Sequence, residues 1–310
     1  MVKLHVAVLL AVLGIASSSF DPDLHAKFKS METKEFVEYF NSLDHSWKMT
    51  EYDDEQSLKH RACAKLHPEL KKHLPIQKHD PELLKDLPKN FDAREKWPQC
   101  ETIKEVYDQG DCGSCWAFGS VSTASDRTCI HKDVHVQLSE QELGCLKSDV
   151  CEGGIPALGF LYWQIIGLVS NDCKPYDIQK LKDGVCAQKC VDSKQDYEKD
   201  KYFAEKFYSL ANKSEEIKAE LFHNGPIEAS FAVYHDFFKY KTGVYRHKFG
   251  EYRGGHSVRV VGYGEENGEE YWLVANSWGP QWGDHGMVKI KAFDHDLYFE
   301  SIMMSGLPKN

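Results

Sequence analysis

The chain has 310 residues, of which 42% are hydrophobic and 28% charged. It is long and apolar enough to bury a sizeable core. Its 38 Lys and Arg stand against 48 Asp and Glu, a formal charge of −10, so no basic surplus exists to neutralise phosphates and nucleic acid is not an expected partner. Past the first residues no run of about 20 apolar side chains occurs, which excludes a membrane-spanning helix.

The first residues, "MVKLHVAVLLAVLGIASSSF", join Lys3 to an apolar run and then to small residues. That is the order of a secretory signal peptide, here residues 1–18. The expected compartment is the secretory pathway, ending in a lysosome, a vacuole or outside the cell, where disulfides are the default for the ten cysteines. Residues 19–86 are polar and lysine-rich, with one amphipathic stretch, "KEFVEYFNSLDHSWK". In it Phe36, Tyr39, Phe40 and Leu43 recur at helical spacing. Pro75, Pro81 and Pro88 then interrupt regular structure. The segment lacks the apolar density of a core of its own, so it is expected to lie on another body.

From Leu87 the texture changes. "CWAFGSVSTASDRTCI" suits a buried helix, and in "VQLSEQELGC" Ser139 and Glu142 form a capping box opening a short one. "GFLYWQIIGLVS" reads as a third. After about residue 204, "PIEASFAVY", "HSVRVVGYGEENGEEYWLVANSW" and "GMVKIKA" read as strands, with a hairpin turn at Glu266-Asn267-Gly268. A helical part (about 100–203) thus precedes a strand-rich part (about 87–99 plus 204–310). That pattern is α+β, two packed subdomains with a cleft between them.

"DQGDCGSCWAFGS" holds Cys112 and Cys115 three apart. The pair is open to three readings: half a zinc site, a thioredoxin-like redox pair, or a half-cystine beside a nucleophile. No second Cys-x-x-Cys or matching His pair follows, and no βαβ setting surrounds it, which disfavours the first two. A thiol becomes a nucleophile when a helix N-terminus and an imidazolium stabilise its thiolate. Cys115 lies where a glycine-rich loop turns into a helix. Among fifteen histidines, His256 in "RGGHSVRVV" opens a strand behind two glycines. Asn276 in "ANSWGPQWGDHG" lies at a strand end and has an oxygen able to orient an imidazole.

"CGSCWAF", "GGHSVR" and "ANSWG" resemble the active-site blocks of papain-like cysteine proteases, in the order and at the spacing that signature carries. "LPKNFDAREKWPQC", "TIKEVYDQG", "NGPIEASFAVYHDF" and "YWLVANSW" resemble cathepsin B more narrowly, over residues 87–310 and more weakly before them. The resemblance implies a papain-like two-subdomain fold and a zymogen, with 19–86 an inhibitory propeptide and 87–310 the mature peptidase. It implies Cys115 as nucleophile, His256 as its partner, Asn276 as orienter and Gln109 as oxyanion donor, acting on proteins and peptides without a cofactor or a metal. Gly153 and Gly154 would bind the substrate strand, and Trp278 would shield the His–Asn bond. Glu300 would form the base of the pocket for the second residue before the scissile bond, with Ile155, Pro156 and Ser230 as its walls. The implied disulfides are Cys100–Cys129, Cys112–Cys151, Cys145–Cys186 and Cys173–Cys190, with Cys63 left in the propeptide. Asn212, in "NKS", is the only glycosylation sequon.

Two departures bear on activity. Between Cys173 and Cys190 stands only "KPYDIQKLKDGVCAQK", without the histidine pair and internal disulfide of the cathepsin B occluding loop. An open primed side, endopeptidase action and binding of cystatin-type inhibitors by a monomer follow as expectations. Glu152 stands where the family has asparagine. The competing class is a secreted binding protein that kept the fold without the chemistry; intact Gln109, Cys115, His256 and Asn276 argue against it.

Overall fold

The computed structural model describes residues 19–53, 58, 60–147 and 149–310; the signal-peptide reading falls outside them. The chain opens with helices α1 (Pro22–Ser30) and α2 (Thr33–Ser42). Asp21 starts α1 by accepting from the amides of Asp23 and Leu24, the usual satisfaction of orphan N–H groups at an N-cap. The helix expected over "KEFVEYFNSLDHSWK" stops at Ser42, and Trp47–Met49 forms strand β1 instead. The Asn41 side chain fixes that exchange, bonding both the amide and the carbonyl of Met49 at 2.9 Å.

The central helix is α3 (Cys115–Lys132), buried along most of its length. It packs against α4 (Pro156–Ile165), where Gly159 lets the Ser120 side chain approach closely. Ser139 does cap the following segment, accepting from the Glu142 amide at 3.3 Å. The Glu142 carboxylate does not return to complete a box. It is buried between Tyr162, Tyr197 and Lys174, and the turn Glu140–Cys145 is 3₁₀ rather than α-helical. The short helix α5 (Ile178–Lys182) lies in the Cys173–Cys190 stretch, and α6 (Ser214–Asn224) crosses the strand-rich part.

One ten-stranded sheet carries the rest. Along it run β1, β6 (Tyr240–Tyr245), β9 (Met287–Lys291), β8 (Glu269–Ala275), β7 (Tyr252–Glu266), β5 (Ile227–Tyr234), β10 (Met303–Pro308), β4 (Ala204–Leu210) and β2 (Ile76–Gln77), in that order; β3 (Phe91–Asp92) pairs with β7. The β7–β8 hairpin turns at Asn267 and Gly268, whose φ values are 51° and 79°, as a two-residue primed turn needs. Both outermost strands, β1 and β2, come from the first 86 residues. The N-terminal segment therefore closes both edges of the sheet, where unpaired N–H and C=O groups would otherwise face solvent.

Two hydrophobic cores lie on either side of a cleft. One gathers Trp116, Val121, Leu143, Phe160 and Trp163 around α3 and α4. The other gathers Val258, Val260, Trp272, Val274 and Trp278 from the sheet, and Phe36, Phe40 and Trp47 of the N-terminal segment belong to it. Four disulfides tie the loops: Cys100–Cys129, Cys112–Cys151, Cys145–Cys186 and Cys173–Cys190. Cys63 and Cys115 are free.

Candidate active site

Cys115 is the first residue of α3 and wholly buried, so the positive end of the helix dipole lies at its thiol. The loop before it is held by the Cys112–Cys151 bridge and by the Gly113 amide on the Cys151 carbonyl at 2.9 Å. His256 enters from β7 on the other side of the cleft, and its Nε2 lies 2.7 Å from Asn276 Oδ1. Nε2 is then the protonated nitrogen; Nδ1 is buried, and the Arg61 backbone lies within hydrogen-bonding reach of the ring. The Trp278 ring covers this bond at 4.7 Å between centroids. With the N-terminal segment in place it is fully buried and packs on the imidazole. Gln109 is pinned by the Ser277 hydroxyl on its Oε1 at 2.7 Å. The two cleft walls are thus joined behind the site.

The N-terminal segment occupies the cleft. Gln109 Nε2 donates to the Arg61 carbonyl at 3.0 Å; the side chain expected to hold an oxyanion already holds a carbonyl oxygen. Cys63 follows, its side chain against Gly113 and its carbonyl against Gly153. Ala64 then donates to the Gly255 carbonyl, and the Lys65 amide to that of Gly154, both at 2.8 Å. The Ala64–Gly154 rung is parallel. Gly154 has no room for a side chain, because a Cβ there would meet the Trp116 ring at 2.4–2.7 Å.

Closure changes the electrostatics of the pair. Burial pushes the Cys115 thiol up to about 12, against backbone hydrogen bonds from Cys63 and Ser257 that favour the thiolate. Burial likewise pushes His256 down to about 4, opposed by Asn276. With the cleft filled, both groups are neutral across ordinary pH.

The pocket beyond Gly154 differs from the sequence expectation. Ile155, Pro156 and Ala157 do line it, facing Ile302, Met303 and Met304, with Leu70 and Leu74 of the N-terminal segment packed over it. Glu300 is not at its base. Its carboxylate is buried, accepting from Trp272 Nε1 and from the Phe293 amide, each at 2.6 Å, and burial raises its pKa. Two residues on, Ile302 takes the place expected of it. The 3₁₀ turn Phe299–Ser301 directs the glutamate inward, which alternation along a strand would not have indicated. Ser230 is no wall either: its hydroxyl is turned onto the Glu228 carboxylate at 2.5 Å.

The Cys173–Cys190 stretch stays on the helical side. The Tyr176 hydroxyl donates to the Gln109 carbonyl at 2.9 Å, and Ile178 and Leu181 pack into the helical core. Asn212 is exposed. The residues missed by sequence reading are Arg61, Cys63 and Ala64. Their one signal was "RACAK", a run of small residues in an otherwise bulky, charged segment, fit to pass over glycines.

Comparison with known proteins agrees with this geometry. The papain family cysteine protease domain matches residues 87–304. A gut-specific cysteine proteinase of Caenorhabditis elegans is 41% identical over 248 residues, covering 73% of this chain and 75% of that protein. Cathepsin B-like cysteine proteinase 5 of the same organism is 39% identical over 257 residues, covering 72% and 75%. Among solved structures, procathepsin B S9 from Trypanosoma congolense superimposes with a TM-score of 0.81 at 34% identity, over 90% of this chain and 99% of that one. With its cleft filled by its own N-terminal segment, as in a proform, the chain belongs to the papain family and is a cathepsin B-like cysteine protease.

Proposed function

We propose that this chain is the zymogen of a secreted or lysosomal cysteine endopeptidase, with 1–18 a signal peptide, 19–86 an inhibitory propeptide and 87–310 the mature enzyme. The observation that carries the reading is the Arg61 carbonyl on Gln109 Nε2 at 3.0 Å, beside Cys115 at the start of its helix. A peptide carbonyl held there is polarised toward the thiol. The segment crosses Gly154 in parallel register, so its scissile-like bonds are not offered as a substrate's would be.

Removal of the segment rehydrates the pair and relieves the burial that keeps it neutral. The thiolate of Cys115 then attacks the peptide carbonyl, and the C–S bond forms. As the C–N bond breaks, His256 passes its proton from Nδ1 to the leaving amine. His256 next takes a proton from water, hydroxide adds to the thioester, and Cys115 leaves as thiolate. Gln109 and the Cys115 amide serve the oxyanion in both halves, and Asn276 holds the ring.

The short Cys173–Cys190 stretch, packed back on Gln109 and the helical core, supports an open primed side. Peptides of one sequence, free or amidated at the C-terminus, should be cut at similar rates; a strong preference for the free acid, cut two residues from its end, would refute endopeptidase action. An epoxide thiol-protease inhibitor should label Cys115 in the processed protein and not in the uncut one. Cys115→Ala should abolish turnover with folding intact, whereas Cys112→Ala should damage folding, since a native disulfide contributes about 2–5 kcal/mol. The same stable, inactive protein from both would overturn the assignment. A glycosidase digest that lowers the mass of secreted protein would place a glycan on Asn212.

A further inference from the structure

A cavity of about 610 Å³ opens in the helical part, between the Cys145–Cys186 and Cys173–Cys190 bridges. Its lining runs from Gln141 to Tyr197, so neither the catalytic residues nor the N-terminal segment contribute to it. The two bridges fix its walls. The Val191 amide on the Cys173 carbonyl at 2.8 Å and the Val185 amide on that of Lys180 at 2.9 Å hold them further. Its volume and preformed shape suit a small molecule.

The floor carries hydrogen-bond donors that the protein leaves unused. Gln141 is only 4% exposed. Its Oε1 accepts from the Asp177 amide at 2.9 Å, while its Nε2 has no partner among the described residues. Lys174 is 7% exposed. One of its three N–H groups meets Glu142 Oε2 at 2.7 Å, and another reaches only the sulfur of Cys145, at 3.4 Å. A third is left for the cavity. The nearby acceptors are already engaged. Tyr162 and Tyr197 donate to the other oxygen of Glu142 at 2.8 and 2.5 Å, and Asp192 accepts from the Lys194 amide at 2.9 Å. At the mouth Lys180 lies 3.0 Å from Asp177, and Lys189 has no partner among the described residues. In a chain of formal charge −10, Lys174, Lys180 and Lys189 against Asp192 reverse the sign locally. The remaining wall is apolar: Pro175, Ala187, and Val185 and Val191, which are 47% and 64% exposed.

We propose that this cavity binds a small amphipathic carboxylate, its head group on Gln141 and the lysines and its apolar body on the valine wall. The site does not depend on the peptidase activity. A carboxylate is an acceptor without a donor, so it fills the unused N–H groups of the floor, and its charge strengthens each bond. An alkyl or aryl body removes the exposed valines from water. An inorganic anion would leave that wall wet, and a cation would meet three ammonium groups.

The test is calorimetric titration of the uncut Cys115→Ala protein at pH 7 with octanoate and with its neutral isostere octanamide. In the uncut chain the N-terminal segment fills the cleft, so binding there does not interfere. Octanoate should bind one molecule per chain, about five- to thirty-fold tighter than octanamide at low salt and by less at high salt. Acetate, a head group without a body, should bind about ten-fold or more weakly than octanoate. Lys189→Glu, at an exposed position, should weaken octanoate about three-fold or more and leave octanamide unchanged. Gln141→Glu keeps an acceptor for the Asp177 amide and puts an oxygen in place of the free donor; it should remove the preference for the acid. Val191→Asp should weaken both ligands. Equal affinity for acid and amide, binding that does not saturate at one per chain, or octanoate affinity unchanged in Lys189→Glu would overturn the proposal. If Gln141→Glu fails to fold, the Lys189→Glu comparison decides alone.

Discussion

The two halves of the N-terminal segment hold the catalytic body by different physics. Residues 20–49 are an anchor of aromatic rings. Phe36 lies 4.8 Å from Phe249, Phe40 4.5 Å from Trp47, and Trp47 5.2 Å from Tyr245, centroid to centroid. Residues 60–79 are a plug held by directed bonds: the Arg61 carbonyl on Gln109, Ala64 and Lys65 on the glycines, and His79 between Glu216 and Glu220. Apolar burial is insensitive to pH and tolerant of small shifts, whereas directed and charged bonds are neither. The division lets one half give affinity while the other gives position over the thiol, so a change in pH or a single cut acts on the plug and leaves the anchor docked.

The largest effect should come from the anchor. Trp47→Ala or Phe40→Ala removes a fully packed aromatic at a cost of about 3–5 kcal/mol, comparable with the lower end of a domain's whole stability. The uncut variant should then expose Cys115 to the epoxide under conditions where the wild type is silent. Undiminished protection would show that the plug needs no anchor.

Next comes the His79 clamp. Its side chain is almost fully buried, with Nδ1 2.7 Å from Glu216 and Nε2 2.8 Å from Glu220. Glu220 also faces Arg127 at 2.8 Å, Tyr208 at 2.6 Å and Asn224 at 3.0 Å. Bonding to Glu220 raises the His79 pKa, against burial. Burial alone would raise Glu220, but Arg127 and the hydrogen bonds pull it to about 2. Because the folded His79 pKa is raised, the stability it gives is complete below the unfolded value near 6.5 and is lost as pH rises through the folded one. A charged bond of this kind contributes roughly 1.5–3 kcal/mol. The stability gap between wild type and His79→Gln should therefore be widest in acid and close toward alkaline pH; a gap that widens with pH would contradict it. Discharge of partner carboxylates in acid would by itself loosen a lysine-rich segment, but the carboxylates here resist it. Glu220 stays charged at pH 4–5, and Glu251, bonded to Lys29 at 2.7 Å, is also held below its usual range.

What was legible in the sequence follows the same division. Cys115, Asn276, His256 and Gln109 sit in local blocks whose chemistry depends on neighbours in the chain, a helix start for Cys115 and a strand end for Asn276, and the structure brings them together; His256 does not open its strand but lies inside β7, whose pairing takes in Gly254 and Gly255. The anchor helix was legible from the spacing of Phe36, Tyr39 and Phe40. The plug was not, because Arg61, Cys63 and Ala64 are defined by what they cross, Gly153, Gly154 and Gly255, nearly a hundred and two hundred residues away. Glu300 was misplaced for a related reason. Position 300 lies within a short turn and 302 just after it, the two face different ways, and the hydrogen bond to Trp272 holds the carboxylate inward while the alkyl group meets the cleft.

The smallest effect should be at the rim of the plug, where Arg61 Nη1 lies 3.1 Å from Asp108 Oδ1. Arg61 is buried, but the Asp108 side chain is 46% exposed, so water already competes for the carboxylate and salt screens it. Asp108→Asn keeps the volume and leaves an oxygen to accept from the Gly110 amide, a bond now 2.9 Å long. It removes the charge alone. A pair open to solvent on one side gives about 0.2–1 kcal/mol, so the rate of Cys115 labelling in the uncut protein should rise only about 1.4- to five-fold, and the difference should fade at high salt. The Arg61 carbonyl stays on Gln109 whatever its side chain does. A rise as large as that of the anchor variants, persisting in salt, would mean that the ion pair places the plug, and that anchor and plug are not separable as their bonding suggests.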